Sequence, residues 1–209
     1  SVPDNAGYAF LADAKEDGIT KLTKSGDEIW TFPNSDSNVN ITGSDVQTLT
    51  LTSEDVVVAA FGNDVYGIDE AGQQVWLYGT SNETITAVAA TSDGRTYVGK
   101  ETPDADIILL DSDGNELSRY TGHLDDVSSL VADSEGFAYS GAVNGEIRFS
   151  NTSGNEEEKL TSVHDTGEEI RALDVDGNYL YTASSDGKSK KIDLETTNEE
   201  WVLDFTDET

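Results

Sequence analysis

The chain contains no cysteine, no methionine, three prolines and only 12 lysine and arginine residues. Without cysteine there are no disulfides, thiolate metal sites or cysteine nucleophiles, and nothing about redox compartment is encoded. No apolar run approaches the roughly 18 residues that cross a bilayer as a helix, and no charged-then-apolar leader opens the sequence, so neither membrane insertion nor a signal peptide is expected. The scarcity of basic residues excludes more. Phosphate binding needs a basic face, and a chain with 42 acidic residues and a net charge of −30 has none to offer nucleic acid. The acidic excess runs through the whole chain. Such charge repels itself where the screening length is about 8 Å and is tolerated at molar salt, where that length falls to about 3 Å. We therefore read the acidity as the solvated surface of a halophile's protein, with bound salt cations in place of any cofactor. Three Asn-x-Ser/Thr sequons, at Asn40, Asn82 and Asn151, are expected by chance in a chain this rich in Asn, Ser and Thr.

What is present is a repeat. Two strand-like runs, a turn and a third run recur five times, as ITKLTKSGDEIWTF, VYGIDEAGQQVWLY, IILLDSDGNELSRY, EIRFSNTSGNEEEKL and KKIDLETTNEEWVL. The turn falls on Gly26, Gly72, Gly114, Gly154 and Thr197, a period of 46, 42, 40 and 43 residues. Units of this length read as strands point to propeller blades, because one small sheet cannot bury its faces without neighbours. Each blade divides into strands A to D. Strand A is Val46 to Leu51, Ile85 to Ala90, Val127 to Ala132 and Ile170 to Val175; its small and β-branched residues suit the crowded position nearest the axis. Strand B, the most apolar, is Tyr8 to Asp13, Val56 to Phe61, Arg95 to Lys100, Phe137 to Ala142 and Tyr179 to Ser184, and should lie mid-sheet. No window keeps helical apolar spacing.

The expected fold is all-β, a five-bladed propeller of four-stranded antiparallel blades in one domain over 1–209, with blades near 1–40, 41–80, 81–122, 123–165 and 166–209. Strand A has four copies where B, C and D have five. The first blade is therefore incomplete, needing either three strands or a makeshift strand from a terminus, and its edge invites pairing by a neighbour.

The first three repeats resemble the PQQ-like propeller family, through Asp93-Gly94, Tyr97-Val98-Gly99, Leu110-Asp111, Gly114 and the tryptophans Trp30, Trp76 and Trp201. The last two resemble WD40 repeats, through GHLDDVSSL and YTASSDGKSKKID. That resemblance places the WD40 hydrogen-bonded tetrad on His123, Ser140, Asn144 and Phe149, and on His164, Ser184, Asp186 and Ile192. Neither set ends in the aromatic N–H donor the tetrad requires. His123, His164 and Asp186 are accordingly read as structural, as are the three tryptophans as packing residues. PQQ-dependent dehydrogenases resemble larger rings with a calcium-bound quinone, commonly capped by a vicinal disulfide, and this chain offers neither the blades nor the cysteines.

Acidic residues stand just before the inner strands: Asp45, Glu83, Asp125 with Asp126, and Glu168 with Glu169. In a propeller these loops ring one mouth of the central channel, where carboxylates could hold a cation or act as a glycosidase pair. Overall acidity would put carboxylates in almost any loop, so they stand as weak metal candidates. DSDGNE at Asp111 to Glu116 and DVDGN at Asp174 to Asn178 lack the Gly and carboxylate positions of a calcium loop and read as β-turns. No catalytic motif is present.

The function expected is a non-enzymatic interaction scaffold with protein partners, among them copies of itself, in the cytoplasm of a halophilic archaeon. The alternatives are a structural component on the surface of a haloarchaeal virion and a small glycan-binding or glycosidase-like ring.

Overall fold

The computed structural model describes residues 2–3, 7–13, 18–33, 39, 41, 46–80, 83–101, 106–152, 156–160 and 163–205. They form five antiparallel four-stranded sheets and no helix. The first sheet holds β1 (Val2–Pro3), β2 (Ala9–Asp13), β3 (Gly18–Leu22) and β4 (Glu28–Phe32). The second holds β5 (Val46–Leu51), β6 (Val57–Phe61), β7 (Asp64–Ile68) and β8 (Gln74–Gly79). The third holds β9 (Ile85–Ala90), β10 (Thr96–Lys100), β11 (Asp106–Leu110) and β12 (Glu116–Thr121). The fourth holds β13 (Val127–Ala132), β14 (Ala138–Ala142), β15 (Ile147–Ser150) and β16 (Glu156–Leu160). The fifth holds β17 (Ile170–Asp176), β18 (Tyr179–Ser184), β19 (Lys188–Asp193) and β20 (Glu199–Asp204). In every sheet the strands lie side by side in chain order.

The first blade is completed by the makeshift alternative. β1 is two residues long, and only Val2 and Pro3 pair with Phe10 and Ala9 of β2. Where the other blades have an inner strand of six or seven residues, this one has a stub.

Inner strands β5, β9, β13 and β17 pack successively on one another, which sets the blades around a common axis. The central strands β6, β10 and β14 are buried along their whole length, because each is covered by a blade on both sides. Alternate residues face opposite neighbours. In β6, Val57, Ala59 and Phe61 join a cluster with Phe10, Ile19 and Phe32 of blade one, while Val58 and Ala60 join one with Ile85, Val98 and Ile108 of blade three. Two further clusters join blade three to four and four to five. Among the described residues no hydrophobic cluster joins blade five to blade one.

The C-to-D turns repeat one geometry. In blade two Asp69 N–H donates to Gln73 O, Gly72 N–H donates to Asp69 O, and Asp69 Oδ1 accepts from Ala71 and Gln73 N–H. Asp111 does the same for Asp113 and Asn115 in blade three, confirming DSDGNE as a turn. These backbone donors hold the Asp111 carboxyl below its ordinary value. Part of the acidity is thus turn chemistry.

Candidate functional site

The tryptophans mark where one blade grips the next. Backbone register sets Trp30 opposite Lys21, Trp76 opposite Gly67 and Trp201 opposite Lys191, the same position in three blades, and the first two reach the following blade. Trp30 lies on the C-to-D turn of blade two, and its Nε1–H donates to Glu70 O at 2.8 Å. A Cβ at Gly72, whose φ is +79°, would come within 2.7 Å of the Trp30 ring. Trp76 covers its own Gly67 and reaches Gly114 in blade three, where a Cβ would meet its ring at 2.8 Å. Glycine is required at both turns for conformation and for room.

Later joints are built otherwise. Between blades three and four the buried Tyr97 hydroxyl can donate to Gly136 O at 3.0 Å or Asn151 O at 2.8 Å. Between blades four and five the sequence has Glu158 at the tryptophan position and Thr197 at the glycine position, and a cleft of about 370 Å³ remains beside the stacked Tyr139 and Phe149 rings. Burial and the nearby Asp133 carboxylate raise the pKa of the Tyr139 hydroxyl in this cleft.

Blade five carries the same gripping residues, and among the described residues no turn of another blade lies against them. Trp201 is 39% exposed, against 8% for Trp76. Leu203 and Phe205 follow it along the same edge at 52% and 60%. The face repeats that of blade one position by position. There Lys21 Nζ sits 4.6 Å over the Tyr8 ring and Phe10 packs against Trp30 at 5.8 Å; here Lys191 Nζ sits 3.4 Å over Tyr179 and Tyr181 packs against Trp201 at 6.3 Å. A shallow groove of about 210 Å³ runs along it, lined by Leu173, Tyr181, Ala183 and Trp201. The matching vacancy lies on blade one. Gly26, with φ +88°, has no atom within 4 Å of where a Cβ would stand, and Leu11 is 41% exposed where its counterpart Ala59 is fully covered.

The channel-mouth carboxylates are placed as follows. Asp45 lies outside the described residues. Glu83 pairs with the fully buried Lys100 at 2.7 Å, and Lys100 also reaches Asp106 at 3.3 Å. Arg119 binds Asp106 at 3.1 Å and Glu116 at 2.9 Å, and the Tyr78 hydroxyl of blade two donates to Glu116 at 2.8 Å. Burial, with that hydrogen bond, pushes the Tyr78 pKa up to about 12. Asp125 accepts from the Asp126 N–H. Glu168 accepts from the Ser185 hydroxyl at 2.8 Å, and Glu169 lies 3.5 Å from Arg171. Among the described residues no group of three His, Cys, Asp or Glu side chains could hold a metal. The Glu83–Lys100 pair was not legible from sequence, since Glu83 precedes β9 and the lysine stands 17 positions away at the end of β10.

The histidines hold loops to blades. His164 Nδ1 lies 2.8 Å from Asp186 and Nε2 lies 2.7 Å from Thr182 Oγ1. An ionised carboxylate only accepts, so Nδ1 carries a hydrogen. The hydroxyl partner is Thr182 and not the expected Ser184, which instead accepts from Asp186 N–H at 3.2 Å. Thr182 corresponds to Ser140, which meets His123 Nε2 at 2.8 Å in blade four, so both repeats use one strand position. Burial pushes the Asp186 carboxyl up, but the His164 hydrogen bond and the backbone N–H groups of Lys188 and Asp165 outweigh it and hold it below its ordinary value. The His164 side chain is fully buried and Thr182 nearly so, and no substrate in solvent reaches the set.

Repeated four-stranded blades with interlocking faces define a β-propeller. Residues 1–98 match the family described as outer membrane protein assembly factor BamB, a stretch covering two blades and the opening of a third. No curated protein sequence matches the chain. Among solved structures, 98% of the chain superposes on 62% of a chain of the mitotic checkpoint complex, at TM-score 0.81 and 14% identity. The computationally designed Ika8 protein gives 0.74 and 21%, over 97% of this chain and 60% of that one. A protein of unknown function from Bacteroides caccae gives 0.69 and 13%, over 95% and 73%. The chain therefore spans about three fifths of the first two structures it resembles, and the likeness is one of fold.

Proposed function

We propose that the chain is a non-enzymatic propeller scaffold that binds protein partners through its terminal blade face, in a high-salt setting. One observation carries this reading: Trp201, Leu203 and Phe205 stand exposed on a face whose counterpart in blade one is covered by the next blade. A monomeric surface rarely leaves adjoining large apolar side chains uncovered without a use for them. The spread of acidic residues supports the high-salt setting, since −30 charges on 209 residues need strong screening. If the occupant were another copy of the chain, the same face would suit a structural role in a particle.

The test is retention of proteins from a high-salt extract on the immobilised chain. Proteins bound by the wild type and lost with the exposed-residue variant Leu203→Asp/Phe205→Ser support the reading. Equal retention by both, or none by either, overturns it.

A further inference from the structure

The joint between blades three and four contains a cation that the joint between blades four and five lacks. Arg95 stands just before β10, where its Nε–H donates to Asp93 at 2.8 Å and its Nη1 donates across the joint to Thr152 O of blade four. The same turn recurs one blade on. Thr91 N–H donates to Arg95 O and Gly94 N–H to Thr91 O, as Asp133 N–H donates to Phe137 O and Gly136 N–H to Asp133 O. Asp93 therefore corresponds to Glu135 and Arg95 to Phe137. Blade four keeps the carboxylate and has no arginine beside it.

Its tyrosine differs as well. Strand register matches Tyr97 and Leu109 to Tyr139 and Phe149. The Tyr97 hydroxyl reaches Gly136 O and Asn151 O of blade four, whereas the Tyr139 hydroxyl turns back to Asp133 of its own blade at 3.4 Å. What is left is the cleft of about 370 Å³. The Tyr139 and Phe149 rings, with centroids 6.0 Å apart, form one wall. On the blade-five side stand Leu194, at the register position of Thr152, and Glu195, whose Oε1 accepts from Asn178 Nδ2 at 2.8 Å. Among the described residues no lysine or arginine lines it.

We propose that the cleft between blades four and five binds a small organic guanidinium, a planar cation on an apolar body. The cation lies against the Tyr139 and Phe149 rings, whose faces attract positive charge, and its N–H groups meet Glu135 and Glu195 as Arg95 meets Asp93. The volume falls in the lower part of the range for small-ligand sites. Both walls belong to blades present in the chain, and the site does not depend on the scaffold reading.

Calorimetric titration at molar salt tests it, with benzylguanidine as the probe and benzylurea as its uncharged near-isostere. The screening length there is about 3 Å, so the diffuse pull of 30 net negative charges on any cation is suppressed while a pair in contact is kept. Benzylguanidine is expected to saturate a single site at least about tenfold more tightly than benzylurea. Glu135→Gln/Glu195→Gln, at two exposed positions, should bring the two probes within about threefold of each other. Glu54→Gln/Asp113→Asn removes the same charge from exposed residues of blades two and three and should leave the difference intact. The proposal is overturned if benzylguanidine does not saturate, if benzylurea binds as tightly, or if the cleft variant and the control variant behave alike.

Discussion

Blades one and five carry the same outward face and have opposite surroundings. Tyr8, Phe10, Lys21 and Trp30 in one, and Tyr179, Tyr181, Lys191 and Trp201 in the other, occupy matching strand positions. In blade one the set is roofed by blade two: Phe10 and Lys21 are buried and Trp30 is hydrogen-bonded across the joint. In blade five the same set faces outward. The sequence of a blade thus specifies a joint, and only the neighbour decides whether that joint is covered.

The largest effect should separate the two faces most cleanly. Phe10→Ala removes a buried ring from the first cluster and should cost about 3–5 kcal/mol, whereas Tyr181→Ala should cost under about 1 kcal/mol. Denaturation midpoints in fixed high salt measure both. Equal losses would mean that blade five is covered after all.

Glycine substitutions sharpen the contrast at the receiving turns. Both Gly72 and Gly26 have positive φ, so alanine costs about 1–2 kcal/mol at each. At Gly72 the new Cβ also meets Trp30, adding roughly 1–3 kcal/mol of overpacking that Gly26→Ala escapes. Thermal unfolding of the pair isolates the indole contact.

A control comes from the covered side of blade five. Asp186→Asn weakens the hold on His164 and should cost about 1–3 kcal/mol. The Asp186 carboxyl is held below its ordinary value near 3.8. Its contribution is therefore complete above that value and is lost as pH falls through the depressed one. Acid titration of stability should show a shallower decline in the Asn variant.

The smallest effect concerns the lysines. Lys21→Met loses its contacts with Tyr8 and Glu70 and should cost about 1 kcal/mol, while Lys191→Met should change stability by less than about 0.5 kcal/mol. Urea midpoints suffice for the comparison.

Much of the fold was legible from strand patterning. Strand A, read at Val46 to Leu51, Ile85 to Ala90 and Val127 to Ala132, falls on β5, β9 and β13 to the residue, because alternation and Gly-bearing turns leave little freedom of register. The stub β1 was visible only as a shortage, since two residues carry no period. The site was read less well. That Trp30, Trp76 and Trp201 belong to one position was plain, but that the third is bare depends on what stands beside it, which no repeat alignment contains. Glu83 looked like a channel-mouth ligand because its partner Lys100 is distant in sequence, and the WD40 resemblance pointed to Ser184 where strand register gives Thr182, the position of Ser140 in blade four.

The most direct measurement is hydrogen exchange of the indole N–H groups in dilute protein at high salt. Trp30, bonded to Glu70 O, should exchange slowly, and Trp201 should exchange at close to the rate of a free indole. Slow exchange at Trp201 that does not change on dilution would contradict the account, because the blade-five joint would then already be filled within the chain.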